Sequence, residues 1–203
     1  MAEHLEIERK FEVGEDFERP DFGAIPGVTA ADPVTHRLSA TYYDTPDGRL
    51  AASKITLRRR TGGTDEGWHM KLPAGPDSRR ELHEPLSDEL PGTLAARVDE
   101  VTGGERVVPI ATLDTERIVV TLSANGTVVA EIADDMVTAR RFPASGGAGS
   151  TGGAGGAALQ WREIEVEVPR ACPPVQEAAA ALLTAAGARP ARSSSKLARL
   201  LES

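Results

Sequence analysis

The chain has 203 residues, of which 40% are hydrophobic and 27% charged, and its formal net charge is -8 at pH 7. This composition suits one folded domain over residues 1–203 and excludes a disordered chain. The sequence offers no run of about 18 apolar residues for a membrane span, no second cysteine beside Cys172 for a disulfide, and no cationic excess for general nucleic-acid binding. The acidic N-terminus lacks the apolar region of a signal peptide, so we expect a cytoplasmic protein.

Alternation of apolar and charged residues predicts short strands in the first half of the chain. The first covers residues 5–13, where Glu6, Glu8 and Lys10 share one parity. Four more follow from their alternation and from the Gly, Pro and Asp residues that end them, over residues 38–43, 54–60, 67–72 and 79–84. Short strands at this spacing predict an antiparallel sheet or barrel.

The second half alternates between helical and strand patterns. After a helical pattern over residues 90–101, three strands are predicted, over residues 116–122, 127–133 and 136–142. Asn125-Gly126, between the first two of them, is the strongest hairpin signal in the chain. Residues 145–157 are nearly all Gly, Ala, Ser and Thr, which predicts a flexible loop before a last strand over 159–168. Two further helices are predicted, over residues 174–186 and 195–201.

In several of these strands, charged residues occupy alternate positions and therefore share one face of the strand. Arg58 and Arg60 share a parity in one strand, and Glu163, Glu165 and Glu167 share a parity in another. A solvated outer face is the ordinary explanation, although like charges side by side destabilise a sheet. If the sheet closes into a barrel, the same residues line its lumen. Carboxylates are suitable ligands for Mg²⁺ or Mn²⁺, and Arg and Lys suit phosphate, so this lumen would bind a metal-complexed polyphosphate.

Eight short motifs, in order along the chain, resemble those of the CYTH domain, the fold of the triphosphate tunnel metalloenzymes. They are Glu6-Ile7-Glu8-Arg9-Lys10, Tyr42-Tyr43-Asp44-Thr45-Pro46, Leu57-Arg58-Arg59-Arg60, Gly67-Trp68-His69-Met70-Lys71, Thr115-Glu116-Arg117, residues 131–135, Glu163-Ile164-Glu165-Val166-Glu167 and Ser195-Lys196. The resemblance covers residues 5–200 and implies an α+β fold, an eight-stranded antiparallel β-barrel tunnel with flanking helices. It also implies triphosphate hydrolysis, with ATP cyclases and RNA triphosphatases as members of the same fold.

The same resemblance implies roles for individual residues. The cations that would bind the triphosphate are Lys10, Arg58, Arg60, Lys71, Arg117 and Lys196. The ligands of a divalent metal would be Glu6, Glu8, Asp135, Glu163 and Glu165. Lys71, together with Tyr42, is the candidate catalytic base, because neighbouring cations lower the pKa of a lysine. A metal-bound water is the alternative base, and the sequence leaves both open.

Strand parity separates residues that are neighbours in the chain. Arg59 has the parity opposite to that of Arg60, so we expect its side chain outside the barrel. Asp135 is preferred over Asp134 as a ligand because it shares the parity of Glu131. Glu131 itself is a candidate ligand or salt-bridge partner.

The sequence leaves the position of some charged residues open, and it makes the histidines weaker candidates for the site. Arg79 and Arg80 are equal candidates for an inward position, and Glu167 lies either at the tunnel mouth or in solvent. His69 shares the parity of Lys71, but the four histidines show no spacing typical of a zinc site, so a structural or solvated role is favoured.

We therefore predict a divalent-metal-dependent triphosphatase that cleaves a linear triphosphate, with inorganic triphosphate as the favoured substrate. The alternatives are a thiamine triphosphatase, a class IV-type adenylate cyclase and a non-catalytic polyphosphate-binding module. Only 4% of residues are aromatic, and none directly precedes Leu57, where a ring could stack on thiamine. The presence of both acidic strands favours an enzyme over a binder. The expected partner is a triphosphate-containing small molecule or polyphosphate, not nucleic acid or membrane, and the protein would be a monomer or homodimer.

Overall fold

The structure, a computed structural model, describes residues 2–75, 78–143, 157–168 and 173–203. Its strands are β1 (Ala2–Val13), β2 (Thr29–Ala30), β3 (Val34–Asp44), β4 (Thr56–Thr61), β5 (Gly67–Pro73), β6 (Ser78–Glu84), β7 (Val108–Ala124), β8 (Thr127–Arg141), β9 (Leu159–Val168) and β10 (Arg189–Pro190). Its helices are α1 (Arg49–Ala52), α2 (Gly92–Thr102), α3 (Pro173–Ala185) and α4 (Lys196–Glu202), with a short 3₁₀ helix at Phe22–Ala24. Cys172 and all of the predicted loop 145–157 except Ala157 lie outside the described residues.

Eight strands close into an antiparallel barrel, because β1 hydrogen-bonds to β6 on one side and to β9 on the other. The order around the barrel is β1-β6-β5-β4-β3-β7-β8-β9. The short strands β2 and β10 pair with β7 and β1 outside this ring. The predicted eight-stranded antiparallel barrel is therefore confirmed.

The β7–β8 hairpin has the predicted turn, but its two strands are longer than predicted. Asn125 and Gly126 form the turn with φ values of 50° and 75°, the left-handed conformation that this type of hairpin requires. However, β7 begins at Val108 rather than at residue 116, and β8 runs unbroken from Thr127 to Arg141. The predicted break between residues 133 and 136 is wrong, since Asp134 and Asp135 both lie buried inside one strand with arginine partners.

The helices α2, α3 and α4 agree with the predicted ones to within two residues at each end. Helix α1 was not predicted, and the Tyr-Tyr-Asp-Thr-Pro segment builds its start. The Asp44 carboxylate accepts hydrogen bonds from the backbone N–H groups of Leu50 and Ala51, at 2.8 and 2.9 Å. The Thr45 hydroxyl accepts one from the N–H of Arg49 at 2.9 Å. These acceptors satisfy the free N–H groups of a helix N-terminus, so this part of the motif is structural.

Most apolar side chains of the strands lie on the outer face of the barrel, where helices cover them. One cluster packs under α3 and includes Phe11, Ile132, Ile164, Val166 and Leu183. A second packs under α1 and α2 and includes Leu57, Trp68, Met70, Leu94 and Val98. Because side chains alternate along a strand, the residues between these apolar positions lie on the inner face. The barrel is therefore built with its polar face inward.

One apolar cluster lies on the inner face instead. Leu113, Val137 and Trp161 have the parity of the inward charged residues of their strands, and Leu197 and Leu200 of α4 pack on them. The side chain of Ser195 caps α4 by accepting a hydrogen bond from the N–H of Ala198 at 3.0 Å. This inner apolar cluster fixes α4 across the barrel and brings its first residue, Lys196, to the inner charged residues. No helix within the described segments is long and apolar enough to cross a membrane.

Candidate active site

Beside the inner apolar cluster, the lumen contains a cavity of about 520 Å³ whose wall is dense in charge. Its charged lining residues are Glu6, Glu8, Lys10, Arg58, Arg60, Asp65, Lys71, Arg79, Glu81, Arg117, Glu131, Glu165, Glu167 and Lys196. Every barrel strand except β3 contributes at least one of them, and β3 contributes Tyr42. The lumen therefore brings carboxylates and cations from distant parts of the chain into one space.

The six cations predicted to bind phosphate all line this cavity. Each is held by carboxylates at its present position. The ammonium of Lys71 lies 2.6 and 2.7 Å from the two carboxylate oxygens of Glu6, and Lys10 bridges Glu8 and Glu165. Arg60 forms an ion pair with Asp65 in the β4–β5 loop. The cations are thus positioned before any ligand binds, which is how phosphate sites lower the cost of ordering side chains.

The five predicted metal ligands divide into two groups. Asp135, Glu163 and Glu165 each offer an oxygen, and these oxygens lie within 4.8 Å of one another; we call these three residues the acidic triad. Glu6 and Glu8 lie apart on β1 and pair with Lys71 and Lys10. Carboxylate oxygens gathered in this way can ligate a divalent metal ion, so the donor set suits the metal that the fold implies.

Basic side chains keep two members of the acidic triad, Asp135 and Glu165, ionised although both are buried. Burial raises the pKa of Asp135, but Arg117 and Lys196 lower it more, and the pKa lies below its ordinary value. Burial likewise raises the pKa of Glu165, and Lys10, Lys196 and Arg117 bring it well below its ordinary value. Asp135 and Glu165 are therefore carboxylates, the form that ligates a metal.

The premise for Lys71 as a general base is wrong. Burial lowers the pKa of Lys71, but the carboxylates of Glu81, Glu6 and Glu8 raise it, and the net pKa is above the ordinary value. Adjacent cations were expected to dominate, whereas the nearest charges are acids. Lys71 is therefore a protonated cation suited to binding phosphate.

Tyr42, the second catalytic candidate, has the opposite shift. Burial raises the pKa of its phenol, but Arg58, which donates a hydrogen bond to the phenol oxygen at 3.4 Å, lowers it, and the net pKa is below the ordinary value. Of the two candidates, only Tyr42 is shifted toward releasing a proton.

The structure also shows which arginine points into the barrel in each pair of sequence neighbours. Arg59 points outward and donates to the carbonyl of Ser87 at 2.8 Å, whereas Arg60 lines the cavity. Arg79 lines the cavity, and Arg80 is exposed beside Glu3. The inward position thus belongs to Arg79.

Glu131 and Glu167 lie opposite each other on β8 and β9 and both line the cavity. Burial, followed by the charges of Glu6 and Glu165, raises the pKa of Glu167 to about 7. Glu167 is therefore part of the lumen and not a solvated residue.

Sequence reasoning noted the parity of His69 but missed the histidine-rich part of the lumen to which it belongs. His69 lies 2.8 Å from Glu81 through Nδ1 and 2.9 Å from the carbonyl of Asp65 through Nε2. His4 approaches the other oxygen of Glu81 at 3.2 Å, and the ring of His83 lies 4.6 Å from that of His69. All four histidines of the chain line the cavity. The available signal was parity within each strand, which His4 shares with Glu6, His83 with Glu81 and His36 with Tyr42. A search for zinc spacing does not use this signal.

An antiparallel barrel whose lumen holds carboxylates and cations is the architecture of the triphosphate tunnel proteins. The sequence model of the CYTH domain matches residues 4–193, and the chain belongs to that family. Two strains of Mycobacterium tuberculosis, CDC 1551 / Oshkosh and ATCC 25618 / H37Rv, each contain an uncharacterized protein that is 43% identical over 209 residues. The match covers 98% of this chain but 40% of those proteins, so the chain spans less than half the length of the curated relatives it matches.

Solved structures share the fold over nearly the whole chain. A "putative adenylate cyclase" from Bacillus halodurans is 20% identical, with a TM-score of 0.61 and 98% of each chain covered. A "putative adenylyl cyclase" from Hippeastrum, described as having a dominant triphosphatase activity, is 17% identical, with a TM-score of 0.57 over 97% of this chain and 95% of that one. At these identities the likeness shows the fold alone.

Proposed function

We propose that the protein is a divalent-metal-dependent triphosphatase, with residues 1–203 as a single CYTH domain. It hydrolyses a linear triphosphate, with inorganic triphosphate as the preferred substrate. Water attacks a terminal phosphorus, the anhydride bond to the next phosphate breaks, and the products are phosphate and pyrophosphate.

The observation that carries this proposal is the presence of both charges in one lumen. The six cations Lys10, Arg58, Arg60, Lys71, Arg117 and Lys196 face a cavity of about 520 Å³ that also contains carboxylates. Cations alone would suit a simple anion site, and carboxylates alone would suit a cation site. Together they suit a polyphosphate that carries a metal ion, because phosphoryl transfer depends chiefly on positioning and charge neutralisation.

The acidic triad of Asp135, Glu163 and Glu165 would hold the metal. A divalent ion bound there supplies positive charge to the phosphate oxygens and activates water. The residues of the chain do the rest: Arg58 and Arg60 on β4 and Arg117 on β7 would orient phosphate oxygens, and Arg117 also holds Asp135 through two hydrogen bonds of 2.8 and 2.6 Å.

The lining of the site favours inorganic triphosphate over thiamine triphosphate or ATP. A second cavity of about 890 Å³ shares Glu6, Glu8 and Lys10 with the first and extends toward α3 and α4. Among the described residues that line the two cavities, Tyr42 and Phe11 are the only ones with a Phe, Tyr or Trp ring. Phe11 is 4% exposed and packs in the cluster under α3, so it offers no free ring for stacking. The triphosphatase activity described for the Hippeastrum neighbour agrees with hydrolysis on this fold.

A phosphate-release screen tests the proposal. The substrates are inorganic triphosphate, thiamine triphosphate, ATP and pyrophosphate, each with Mg²⁺ or Mn²⁺, and the products from ATP are separated to detect cyclic AMP. We expect the highest kcat/KM for inorganic triphosphate. Cyclic AMP as the main product would identify a cyclase. Tight binding of polyphosphate without turnover of any substrate would identify a binding module.

A further inference from the structure

A side chain of the protein itself lies at the centre of the acidic triad. The Nζ atom of Lys196 is 2.8 Å from Oδ2 of Asp135, 2.8 Å from Oε1 of Glu163 and 2.7 Å from Oε1 of Glu165. The Lys196 side chain is only 10% exposed. The three oxygens that converge on one point are therefore already shared by an ammonium group.

The remaining oxygens of the triad have other donors. Oδ1 of Asp135 accepts from Arg117 Nε at 2.8 Å, and Oε2 of Glu165 accepts from Arg117 Nη2 at 2.7 Å. Oε2 of Glu163 accepts from the indole N–H of Trp161 at 2.6 Å. A metal that binds all three carboxylates on the side where they converge thus needs the position of the Lys196 ammonium.

We propose that Lys196 is the internal counter-ion of the acidic triad and that a divalent ion binds by displacing its ammonium group. This inference rests on the proposed function, because it takes the triad as the metal site. An ammonium and a divalent ion cannot share one set of carboxylates at these distances without strong repulsion. The two cations are therefore mutually exclusive ligands of the triad, and each weakens the binding of the other.

The cavity offers space for the displaced ammonium group of Lys196. It lines the 520 Å³ cavity as well as the triad, and its four-carbon side chain lets the ammonium move while the helix stays packed through Leu197 and Leu200. The displaced ammonium faces the space in which the triphosphate would lie. Metal binding would thus convert Lys196 from a ligand of carboxylates into a ligand of phosphate.

Lys196 is the group that a metal displaces, and the other basic partners of the triad are not. Lys10 contacts only Glu165 among the three carboxylates and is also paired with Glu8. Arg117 contacts Asp135 and Glu165 and makes no contact with Glu163. Among the described residues, only Lys196 contacts all three carboxylates.

Titration of the protein with MnCl₂ by calorimetry, without any substrate, tests this competition. Lys196→Met keeps the length of the side chain and removes its charge, so its Kd for Mn²⁺ should be about tenfold lower than that of the wild type, within the range usual for coupled ligands. Arg199→Met is the matched control on the same helix, since Arg199 lies over the Trp161 ring at 5.0 Å and does not contact the triad. Its Kd should stay that of the wild type.

A second measurement reads Lys196 directly in the wild type and decides the matter if Lys196→Met does not fold. Acetic anhydride labels accessible amines, and mass spectrometry locates the label. Saturating Mn²⁺ should raise the labelling rate of Lys196 severalfold, while that of the exposed Lys54 stays constant.

An unchanged or higher Kd in Lys196→Met overturns the proposal, as does unchanged labelling of Lys196 at saturating Mn²⁺. Absence of Mn²⁺ binding in both the wild type and Lys196→Met overturns it as well. The proposed hydrolysis is tested separately by phosphate release. Displacement of Lys196 by Mn²⁺ in a protein that releases no phosphate would contradict only the proposed function.

Discussion

The inner and outer faces of β8 bury two adjacent aspartates, and each aspartate receives two hydrogen bonds from an arginine. Asp134 on the outer face is paired with Arg162 at 2.9 Å through both oxygens. Asp135 on the inner face is paired with Arg117 at 2.8 and 2.6 Å. The residue type, burial and pairing are alike, so any difference in role comes from what lies around each pair.

On the outer face the pair fastens one segment of chain to the barrel. Arg162 also donates to the carbonyls of Glu15 and Phe17, at 2.8 and 2.9 Å, and Arg19 approaches Asp134 at 3.3 Å. Two arginines thus face one carboxylate. Asp134 and Asp135 both lie outside the cavity linings. Arg162 and Arg19 do not line either cavity, unlike the partners of Asp135. This arrangement is structural.

On the inner face the pair is one part of a larger charged group. Asp135 shares Lys196 with Glu163 and Glu165, and three carboxylates face one another. Glu165, Lys196 and Arg117 also line the cavity. The comparison teaches that a buried ion pair does not by itself indicate a functional site. Like charges gathered beside an open cavity do indicate such a site, because the binding of an oppositely charged ligand relieves their repulsion.

Removal of divalent ions should have the largest effect on turnover, and it acts on the inner face alone. Excess EDTA should reduce phosphate release from inorganic triphosphate to background, because the carboxylates of the lumen repel the substrate when no metal ion lies between them. Added Mg²⁺ or Mn²⁺ should restore the rate. Phosphate release that continues unchanged in EDTA would contradict the metal dependence.

Asp135→Asn should have the next largest effect. It removes a charged ligand and weakens the hold on Arg117, so kcat/KM should fall by roughly 10²–10³-fold, the scale of losing one preorganised group. Mn²⁺ should raise the melting temperature of the wild type and of Asp134→Asn by mass action, and should raise that of Asp135→Asn less. Equal stabilisation of all three proteins would place the metal elsewhere.

Arg60→Ala and Arg59→Ala compare the two faces of β4 in the same way. Loss of the inward Arg60 removes a charge-assisted phosphate contact and should lower kcat/KM by roughly 30- to 1,000-fold, or ~2–4 kcal/mol. Arg59 donates to the carbonyl of Ser87 outside the barrel, so its loss should change kcat/KM little. If the two folded variants have equal activity, β4 does not present Arg60 to the substrate.

Asp134→Asn should have the smallest effect on turnover and a large effect on stability. Breaking a buried ion pair removes the carboxylate charge that Arg162 and Arg19 both contact. The loss costs about 3–5 kcal/mol, which lowers the melting temperature by on the order of 10 °C. Below that temperature kcat/KM should stay within a factor of about three, since Asp134 points to the outer face of β8 and lines neither cavity. A loss of kcat/KM as large as that of Asp135→Asn would remove the distinction between the two faces.

Parity made much of the barrel predictable. Alternation within a strand is local, so Arg59 and Arg60, or Asp134 and Asp135, could be assigned to opposite faces from the sequence. The error at residues 134 and 135 has a physical cause. Two adjacent aspartates are a typical strand break, and only the pairing with Arg162 on β9 and Arg117 on β7 makes them compatible with a continuous strand.

The pKa of Lys71 could not be predicted, because it depends on register and not on parity. Glu81 lies opposite Lys71 on β6, and Glu6 reaches it from β1. The sequence places Glu6 in the same lumen as Lys71, but it does not show that the strand order β1-β6-β5 brings Glu6 and Glu81 to the Lys71 ammonium. The Lys196 contacts were hidden for the same reason, since they join α4 to β8 and β9.

In this barrel the outward residues of the strands provide stability, and the inward residues of the same strands provide the charge of the lumen. Apolar burial occurs mainly outside, under α1, α2 and α3, and it provides the principal favourable free energy of folding. The inward residues beyond the inner apolar cluster contribute charge and little apolar area. Substitutions at those positions can therefore change which anion the lumen accepts while the outer layer still specifies the fold. In evolutionary terms, such a barrel can acquire new substrates by exchange of inward residues alone.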